Sequence, residues 1–208
     1  MLYEYLKDRY GENTPILISD LQIPDMTETN IRQQIKKLTD SGLLKRYDTG
    51  IYFIPGESIF KSGTQLSLNQ VIEKKYLQDR EQRCGYVSGV AFANQLGLTT
   101  QVPMVCEVVT NKATKDYREA RLANSRIIIR RPRIPVSEQN YRSLQFLDLM
   151  KDIDMVSEIS GDALRRRLLA YMEQFSIRFS DLEPYLPYYP DKIYKNLYET
   201  RLMNGIST

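Results

Sequence analysis

The chain contains 208 residues, of which 42% are hydrophobic and 26% are charged, and its formal net charge is +3. This length suits one large domain or two small ones. No apolar run approaches the roughly 18 residues that a membrane-spanning helix needs. The chain has no histidine and only two cysteines, Cys84 and Cys106, which excludes Ser-His-Asp triads, Cys-His dyads and histidine-ligated metals.

These exclusions argue against an enzyme. The sequence also lacks the phosphate-binding patterns GxGxxG and GxxxxGK(S/T) and the nucleophile motif GxSxG. We therefore expect no catalytic residue, no cofactor and no metal. The first residues, MLYEYLKDRYGEN, are charged from Glu4 onward and lack the apolar core of a secretory signal. A cytoplasmic protein is expected, with both cysteines as small buried hydrophobes rather than a disulfide.

The chain opens with a predicted helix that carries Leu2 and Leu6 on one face. Residues 15–18, Pro-Ile-Leu-Ile, are expected to be extended. Residues 19–22, Ser-Asp-Leu-Gln, have the spacing of a capping box, which predicts that a short second helix begins there. Pro24 ends it, because proline restricts the residue before it.

A third predicted helix begins after Thr27, a good N-cap, and runs to about Asp40. Its apolar residues Ile31, Ile35 and Leu38 recur at i, i+4 and i+7, which predicts a single buried stripe. Two β-prone runs, residues 43–47 and 51–55, follow it and are joined by Asp-Thr-Gly, as in a hairpin. A helix, a short helix, a long capped helix and a hairpin form the order of a winged helix-turn-helix.

The face of the third helix opposite the apolar stripe is the candidate DNA-reading surface. Arginine can bond guanine in a bidentate way, asparagine and glutamine can bond adenine, and lysine and threonine can bond phosphates. The hairpin is expected to contact the DNA backbone. The candidate DNA-binding residues are Thr29, Asn30, Arg32, Gln33, Lys36, Lys37, Lys45, Arg46 and Thr49.

Charge supports this interpretation locally rather than globally. Residues 1–56 carry seven basic and eight acidic side chains, whereas residues 32–46 carry five basic ones against only Asp40. A local basic stripe on a near-neutral domain is typical of a nucleic-acid surface. The alternatives are a merely solvated polar face and a winged helix that binds protein.

The rest of the chain predicts a second domain. The fold class is α+β, with a winged helix-turn-helix over 1–56, a glycine- and serine-bearing linker over 57–65 and a mixed α/β domain with a helical end over 66–208. The predicted elements of the second domain are a capped helix from Ser67 to about Leu77, a helix from Ser88 to Gln95, strands over 102–110 and 126–133, and helices over 162–175 and 190–203. Residues 141–151 fit a helix or a strand equally.

Three further features have a functional and a structural interpretation. Glu107 and Lys112 faintly resemble a nuclease carboxylate–lysine pair, but they lack its spacing, and a surface pair is favoured. Arginines could form a second basic surface or a solvated face: Arg126, Arg130, Arg131 and Arg133 with Arg165, Arg166 and Arg167. The six tail tyrosines could stack on bases, but their near-helical spacing favours core packing: Tyr171, Tyr185, Tyr188, Tyr189, Tyr194 and Tyr198.

One segment carries a family resemblance. Residues 84–91, CGYVSGVA, lead into residues 94–103, NQLGLTTQVP, and then into an apolar strand, residues 104–110. This pattern, behind an N-terminal winged helix, resembles the AbiEi family of bacterial antitoxins. The LGLTTQVP run is distinctive, the resemblance covers about residues 1–155, and the helical end has no counterpart in it.

The resemblance implies a type IV toxin–antitoxin or phage-defence system. The protein would repress its own promoter through the winged helix, as a monomer or as a homodimer on double-stranded DNA. Its second domain would oppose a nucleotidyltransferase-like toxin, with or without direct contact, and Arg126, Arg130, Arg131 and Arg133 are the candidate antitoxin surface. The alternative functions are a winged-helix regulator with a ligand-sensing or oligomerisation domain, and a nuclease-like enzyme with a DNA-binding head.

Overall fold

The computed structural model describes residues 2–57 and 64–203. They form a mixed α+β protein that divides into two compact units, residues 1–75 (unit 1) and 76–208 (unit 2). Most of the predicted linker, 57–65, lies outside the described residues. The division falls after it because the helix that follows packs within unit 1, where Gln70 Nε2 donates a hydrogen bond to the Asn13 carbonyl at 3.3 Å.

The described residues of unit 1 form three α-helices and a small sheet. Its elements are α1 (Leu2–Tyr10), β1 (Ile16–Leu17), a 3-10 turn (Ile18–Asp20), α2 (Glu28–Asp40), β2 (Lys45–Asp48), β3 (Ile51–Phe53) and α3 (Leu68–Ile72). The strand order is β1-β3-β2, and both pairings are antiparallel. The predicted hairpin is confirmed, with Arg46 opposite Tyr52 and a bulge before Asp48.

The predicted helix at residue 19 is wrong. The chain makes only the 3-10 turn there, and Leu21 is extended. The Ser19 hydroxyl donates to the Asp20 carboxylate at 3.1 Å instead of capping a helix. Pro24 disfavours helical backbone at the residue before it, which leaves no room for a longer helix. The Ile18 N–H, just before the predicted start, donates to the Gly50 carbonyl at 3.0 Å.

The core of unit 1 lies between α1, α2 and the sheet. Its buried residues are Leu2, Leu6, Ile16, Leu21, Ile31, Ile35, Leu44 and Ile54. The predicted stripe of α2 supplies Ile31 and Ile35, and Leu38 packs beside them half-buried. Both predicted helix starts are confirmed: Thr27 accepts a hydrogen bond from the Asn30 N–H at 3.3 Å, and Ser67 forms a full capping box with Gln70.

Unit 2 combines a four-stranded sheet with a helical layer. A π-helical turn (Glu73–Leu77) begins in the last residues of unit 1 and ends in unit 2. It is followed by β4 (Gln78–Asp79), β5 (Gln82–Arg83), β6 (Gly85–Ser88), α4 (Gly89–Gln95), β7 (Val105–Thr110), β8 (Tyr117–Leu122) and β9 (Ser125–Arg130). The helical end comprises α5 (Tyr141–Lys151), α6 (Ile153–Val156), α7 (Gly161–Gln174), α8 (Phe179–Leu182), a 3-10 helix (Glu183–Tyr188) and α9 (Lys192–Glu199). The predicted helix to Leu77 therefore becomes π-helical in its second half.

The main sheet has the order β6-β7-β9-β8. The predicted strand over 102–110 begins only at Val105, and Val102 and Met104 are 85% and 92% exposed. Pro103 has no N–H to donate to a ladder, which delays the pairing. The predicted strand over 126–133 ends at Arg130, shortly before Pro132, for the same reason. Strands β6 and β8 were not predicted from the sequence.

A helical core lies on α4, α5, α7 and α9. Residues 141–151, which fitted either structure, are the helix α5, and most of its surface is buried, including Phe146, Leu147 and Met150. Burial on nearly all sides removes the amphipathic period that identifies a surface helix. Around α5 pack Phe92, Leu98, Leu168 and Tyr171, with the Phe146 and Tyr171 rings stacked 5.9 Å apart. No described helix is both long and apolar enough to cross a membrane.

We expect Gly85→Ala to destabilise unit 2. A Cβ atom at Gly85 would lie 2.6 Å from the Val109 carbonyl oxygen and 2.9 Å from that of Tyr76, both of which are backbone atoms that cannot rotate away. Overpacking of this kind costs about 1–3 kcal/mol. Urea denaturation should show this loss, and Thr114→Ala, at an exposed position, should stay within about 0.5 kcal/mol of the original chain. Equal midpoints for Gly85→Ala and the original chain would contradict the prediction.

Candidate nucleic-acid interface

The solvent-facing side of α2 carries the residues that the sequence predicted. Burial of Ile31 and Ile35 fixes which side of the helix faces the core. Side chains about half a turn away from that stripe must then face solvent. Every predicted base-reading or phosphate-binding residue of the helix is exposed: Thr29, Asn30, Arg32, Gln33, Lys36 and Lys37.

Hydrogen bonds along the helix pre-position two of these side chains. The Arg32 guanidinium forms an ion pair with Glu28 at 2.6 Å, and the two side chains are 61% and 74% exposed. The Asn30 side-chain oxygen accepts from Gln34 Nε2 at 3.2 Å. Exposed ion pairs of this kind contribute little stability, so Arg32 can exchange Glu28 for an external acceptor at small cost.

The hairpin that follows α2 in the chain carries a second set of predicted DNA-binding residues. Arg46 and Thr49 are exposed, whereas Lys45 is half-buried. Arg46 Nη2 donates to the Thr49 hydroxyl at 3.0 Å, and the Thr49 N–H donates to the Asp48 carboxylate at 2.6 Å. These bonds hold the guanidinium against the turn. Burial, followed by the charge of Asp48, raises the pKa of Tyr47, so this tyrosine stays neutral at physiological pH.

The four arginines proposed as an antitoxin surface do not form one row. Arg126 and Arg130 lie on β9, which is an inner strand, and Arg131 and Arg133 lie beyond its end. Arg126 pairs with Glu119 at 3.0 Å, Arg130 with Glu107 at 2.7 Å and Arg131 with Asp116 at 3.3 Å. The Arg133 guanidinium donates to the Tyr188 carbonyl at 3.2 Å.

The nuclease-like pair is not assembled. Glu107 engages Arg130, and the Lys112 ammonium donates to the Gln78 carbonyl. Among residues 2–57 and 64–203 there is no group of three or more cysteines and carboxylates placed to hold a metal. Both cysteines are free, with Cys84 buried and Cys106 half-buried. Burial, and secondarily the charge of Glu107, raises the pKa of Cys106 to about 11, which makes a reactive thiolate unfavourable.

The other predicted surfaces are mixed. Of the tail tyrosines, Tyr171 and Tyr189 are core residues, while Tyr188, Tyr194 and Tyr198 are exposed. Of the consecutive arginines on α7, Arg165 is half-buried and Arg166 and Arg167 are exposed. Core packing therefore accounts for part of the tyrosine pattern.

The LGLTTQVP segment is a loop held by side chains. Asn94 Nδ2 donates to the carbonyls of Thr99 and Gln101 at 3.2 and 3.1 Å. Glu158 accepts from the Thr100 N–H at 2.7 Å and from its hydroxyl at 3.0 Å. These hydrogen bonds from Thr100 lower the pKa of Glu158. The distinctive part of the sequence is thus explained largely by loop geometry.

A tyrosine–aspartate pair lies under the GYVS strand. The Tyr86 hydroxyl donates to Asp148 on α5 at 2.7 Å. Burial raises the pKa of Asp148, although the Tyr86 hydrogen bond and the charges of Lys151 and Arg133 oppose this. Burial and the Asp148 charge also raise the pKa of Tyr86 well above its usual value. No sequence motif predicts this pair, because its two residues lie far apart in the chain.

Together the fold and these surfaces define a two-unit α+β protein with an exposed polar helix face in unit 1. The chain belongs to the family of unknown function DUF6088, whose sequence model matches residues 9–135, more than half of the chain. No curated protein matches the chain. The resemblance to AbiEi antitoxins stays a prediction.

Asp148→Asn should change how stability depends on pH. A carboxyl whose pKa is raised on folding keeps its proton in the folded state after the unfolded chain has lost it. The original chain should therefore lose stability relative to Asp148→Asn as pH rises from below 3.8, the ordinary value, through the raised folded pKa. Urea midpoints of both proteins across acidic to neutral pH measure this difference.

Asp152 provides a control of opposite sign. Burial alone would raise the pKa of Asp152, but hydrogen bonds and charges from Lys151 and Lys192 lower it overall. Asp152→Asn should therefore lose stability relative to the original chain at neutral pH, and the gap should close as pH falls through the folded pKa. A pH-independent difference between Asp148→Asn and the original chain would refute the assignment for Asp148.

Proposed function

We propose that unit 1 is a winged helix-turn-helix that binds double-stranded DNA, and that the protein represses its own promoter. The observation that carries the proposal is the capped helix α2, which buries Ile31 and Ile35 and turns Arg32, Gln33 and Lys36 to solvent. In winged helices such a helix enters the major groove and the hairpin contacts the DNA backbone. The exposed Arg46 at the hairpin fits the second role.

The 3-10 turn at Ile18–Asp20 takes the place of the usual short second helix. This does not weaken the proposal, because base contacts come from the recognition helix rather than from the helix before it. The Arg32–Glu28 ion pair supports the assignment in a further way. It keeps the guanidinium on the exposed face of the helix, where it can exchange one carboxylate for the two acceptors of a guanine edge.

Substitutions on α2 should weaken binding to the region upstream of the protein's own gene. Arg32→Ala should cost roughly 1–3 kcal/mol and relax the preference for one base pair, if the guanidinium bonds a guanine. Fluorescence anisotropy with the labelled duplex measures the affinity. Glu28→Gln should bind slightly more tightly, because the competing carboxylate is gone.

Arg46→Ser is the matched comparison on the hairpin. If Arg46 contacts only phosphate, its loss should weaken binding to all duplexes alike. It should also reduce the slope of the logarithm of the binding constant against the logarithm of the salt concentration by about 0.9. Unchanged affinity in Arg32→Ala, Gln33→Ala and Lys36→Ala would show that α2 does not read DNA. The protein-binding alternative would then be favoured.

We also propose that the protein acts as an antitoxin against a nucleotidyltransferase-like toxin. The support is the resemblance of residues 84–103 to AbiEi antitoxins, together with the compactness of unit 2. The hydrogen bonds that Asn94 donates and Glu158 accepts give the resembling LGLTTQVP loop a defined shape. The alternative is a regulator whose second unit senses a ligand or forms an oligomer. Failure of the protein to rescue cells from the toxin, in the experiment below, would favour this alternative.

Repression and rescue should be separable in the full chain. Lys36→Ser with Lys37→Ser removes two charges from unit 1 and leaves unit 2 unchanged. This variant should lose repression of a promoter reporter yet still rescue cells that express a neighbouring nucleotidyltransferase-like toxin. Rescue by neither the original chain nor the variant would remove the antitoxin role. Loss of both activities in a well-folded variant would contradict their separation.

A further inference from the structure

One face of the β8–β9 hairpin combines arginines with an exposed aromatic ring. Antiparallel pairing places Tyr117 opposite Arg130, Glu119 opposite Ile128, and Arg121 opposite Arg126. Side chains directly opposite one another project from the same side of a sheet. We call this set the open face: Tyr117, Glu119, Arg121, Arg126, Ile128 and Arg130. The residues that alternate with it, Leu122, Ile127 and Ile129, are buried.

Two arginines face each other near the turn of this hairpin. Arg121 and Arg126 form the second cross-strand pair from the turn, after Leu122 and Ser125, and like charges placed directly opposite are destabilising. Arg126 is partly compensated by Glu119 at 3.0 Å. Within the described parts of the chain, no carboxylate pairs with Arg121. A bound anion would relieve the repulsion, and the pair flanks an open depression of about 430 Å³.

Tyr117 supplies a platform at the other end of the open face. The residue is 48% exposed. Its hydroxyl donates to Glu119, two residues further along the strand, at 2.7 Å, so the ring leans along the strand instead of standing away from it. The Arg130 guanidinium lies 5.6 Å from the ring centroid. Arg130 in turn pairs with Glu107 at 2.7 Å.

The distance between Tyr117 and Arg121 suits an extended ligand. Tyr117 and Arg121 are four residues apart on β8, which corresponds to about 13 Å along a strand. An aromatic ring and unpaired arginine charge arranged along one extended track match the requirements of a single-stranded nucleic acid, whose bases stack on side-chain rings while its phosphates seek cations. A paired duplex does not offer unstacked bases to such a ring.

We propose that the open face of the β8–β9 hairpin binds single-stranded nucleic acid, with a base on Tyr117 and a backbone phosphate between Arg121 and Arg126. This activity goes beyond the proposed reading of duplex DNA and does not depend on it. The two glutamates of the region, Glu107 and Glu119, are held by Arg130 and Arg126. Arg121 is therefore the group left to attract the phosphate.

The test measures binding of the full chain to labelled oligo(U) and oligo(dT) of about 12 nucleotides, within the usual range of site sizes. Both are single-stranded and share the proposed chemistry, and their relative affinities distinguish RNA from DNA. Tyr117→Ala should weaken binding roughly tenfold, as expected for loss of one stacked base, while Tyr117→Phe should retain most of it. Arg121→Ser should reduce the salt slope by about 0.7, as expected for one phosphate of a single strand.

Two exposed residues act as matched controls. Arg118 is on the same strand but, by the alternation of β8, on the opposite side of the sheet, and Tyr198 is an exposed tyrosine on α9. Arg118→Ser and Tyr198→Ala should leave binding unchanged, and circular dichroism checks that every variant folds. Absence of binding by the original chain, equal losses in the controls, or no loss in Tyr117→Ala and Arg121→Ser would overturn the proposal.

A duplex arm separates this proposal from that for unit 1. Lys36→Ser with Lys37→Ser should weaken duplex binding without changing oligo(U) or oligo(dT) binding, whereas Tyr117→Ala should do the reverse. Single-strand binding that depends on Lys36 and Lys37 alone would overturn the inference and leave the DNA-binding proposal standing. Binding of a phosphoserine peptide through Arg121, with no oligonucleotide binding, would overturn the assignment to nucleic acid.

Discussion

Burial of the apolar stripe of α2 is the constraint on which the proposed DNA-binding surface depends. Ile31 and Ile35 pack against Leu6, Ile16 and Leu44, and burying each such side chain contributes about 1.5–3 kcal/mol. A rotation of the helix about its axis would expose these residues and bury charged ones, which is costly. The core therefore fixes the direction in which the polar side chains point, without any contact made by those side chains themselves.

Unit 2 solves a different problem, because its central helix has almost no free surface. Phe146 and Met150 of α5 are fully buried, and the polar groups on α5 must find partners inside the protein. Gln145 does so by donating to the Val87 carbonyl at 2.8 Å and accepting from the Tyr171 hydroxyl at 3.0 Å. These bonds link the β6 edge of the sheet, α5 and α7. The other side of the sheet's far end, at β8 and β9, is left to solvent.

Electrostatics distinguishes the two candidate surfaces. On α2, Lys36 and Lys37 form no ion pair with a carboxylate among the described residues, and Arg32 pairs with the exposed Glu28. On the sheet, glutamates pair with Arg126 and Arg130, which lowers the net charge of the open face. Shape and base stacking should therefore contribute more than charge to binding at this face. We therefore expect the α2 surface to depend more steeply on salt, since each neutralised phosphate adds to the slope.

Local patterns in the sequence determined most elements of unit 1, because caps, a hairpin turn and a helical stripe depend on neighbouring residues. Thr27, Ser67 and the Asp-Thr-Gly turn all behave as predicted, and the exposed residues of α2 follow from its period. Only the tertiary structure determined the features that depend on residues far apart in the chain. Residue 19 lies in a 3-10 turn whose first N–H, that of Ile18, donates to the distant Gly50 carbonyl. The helical period of α5 is hidden because this helix is buried on nearly all sides. The inner position of β9 and the opposition of Arg121 to Arg126 arise from strand pairing, which no local pattern specifies.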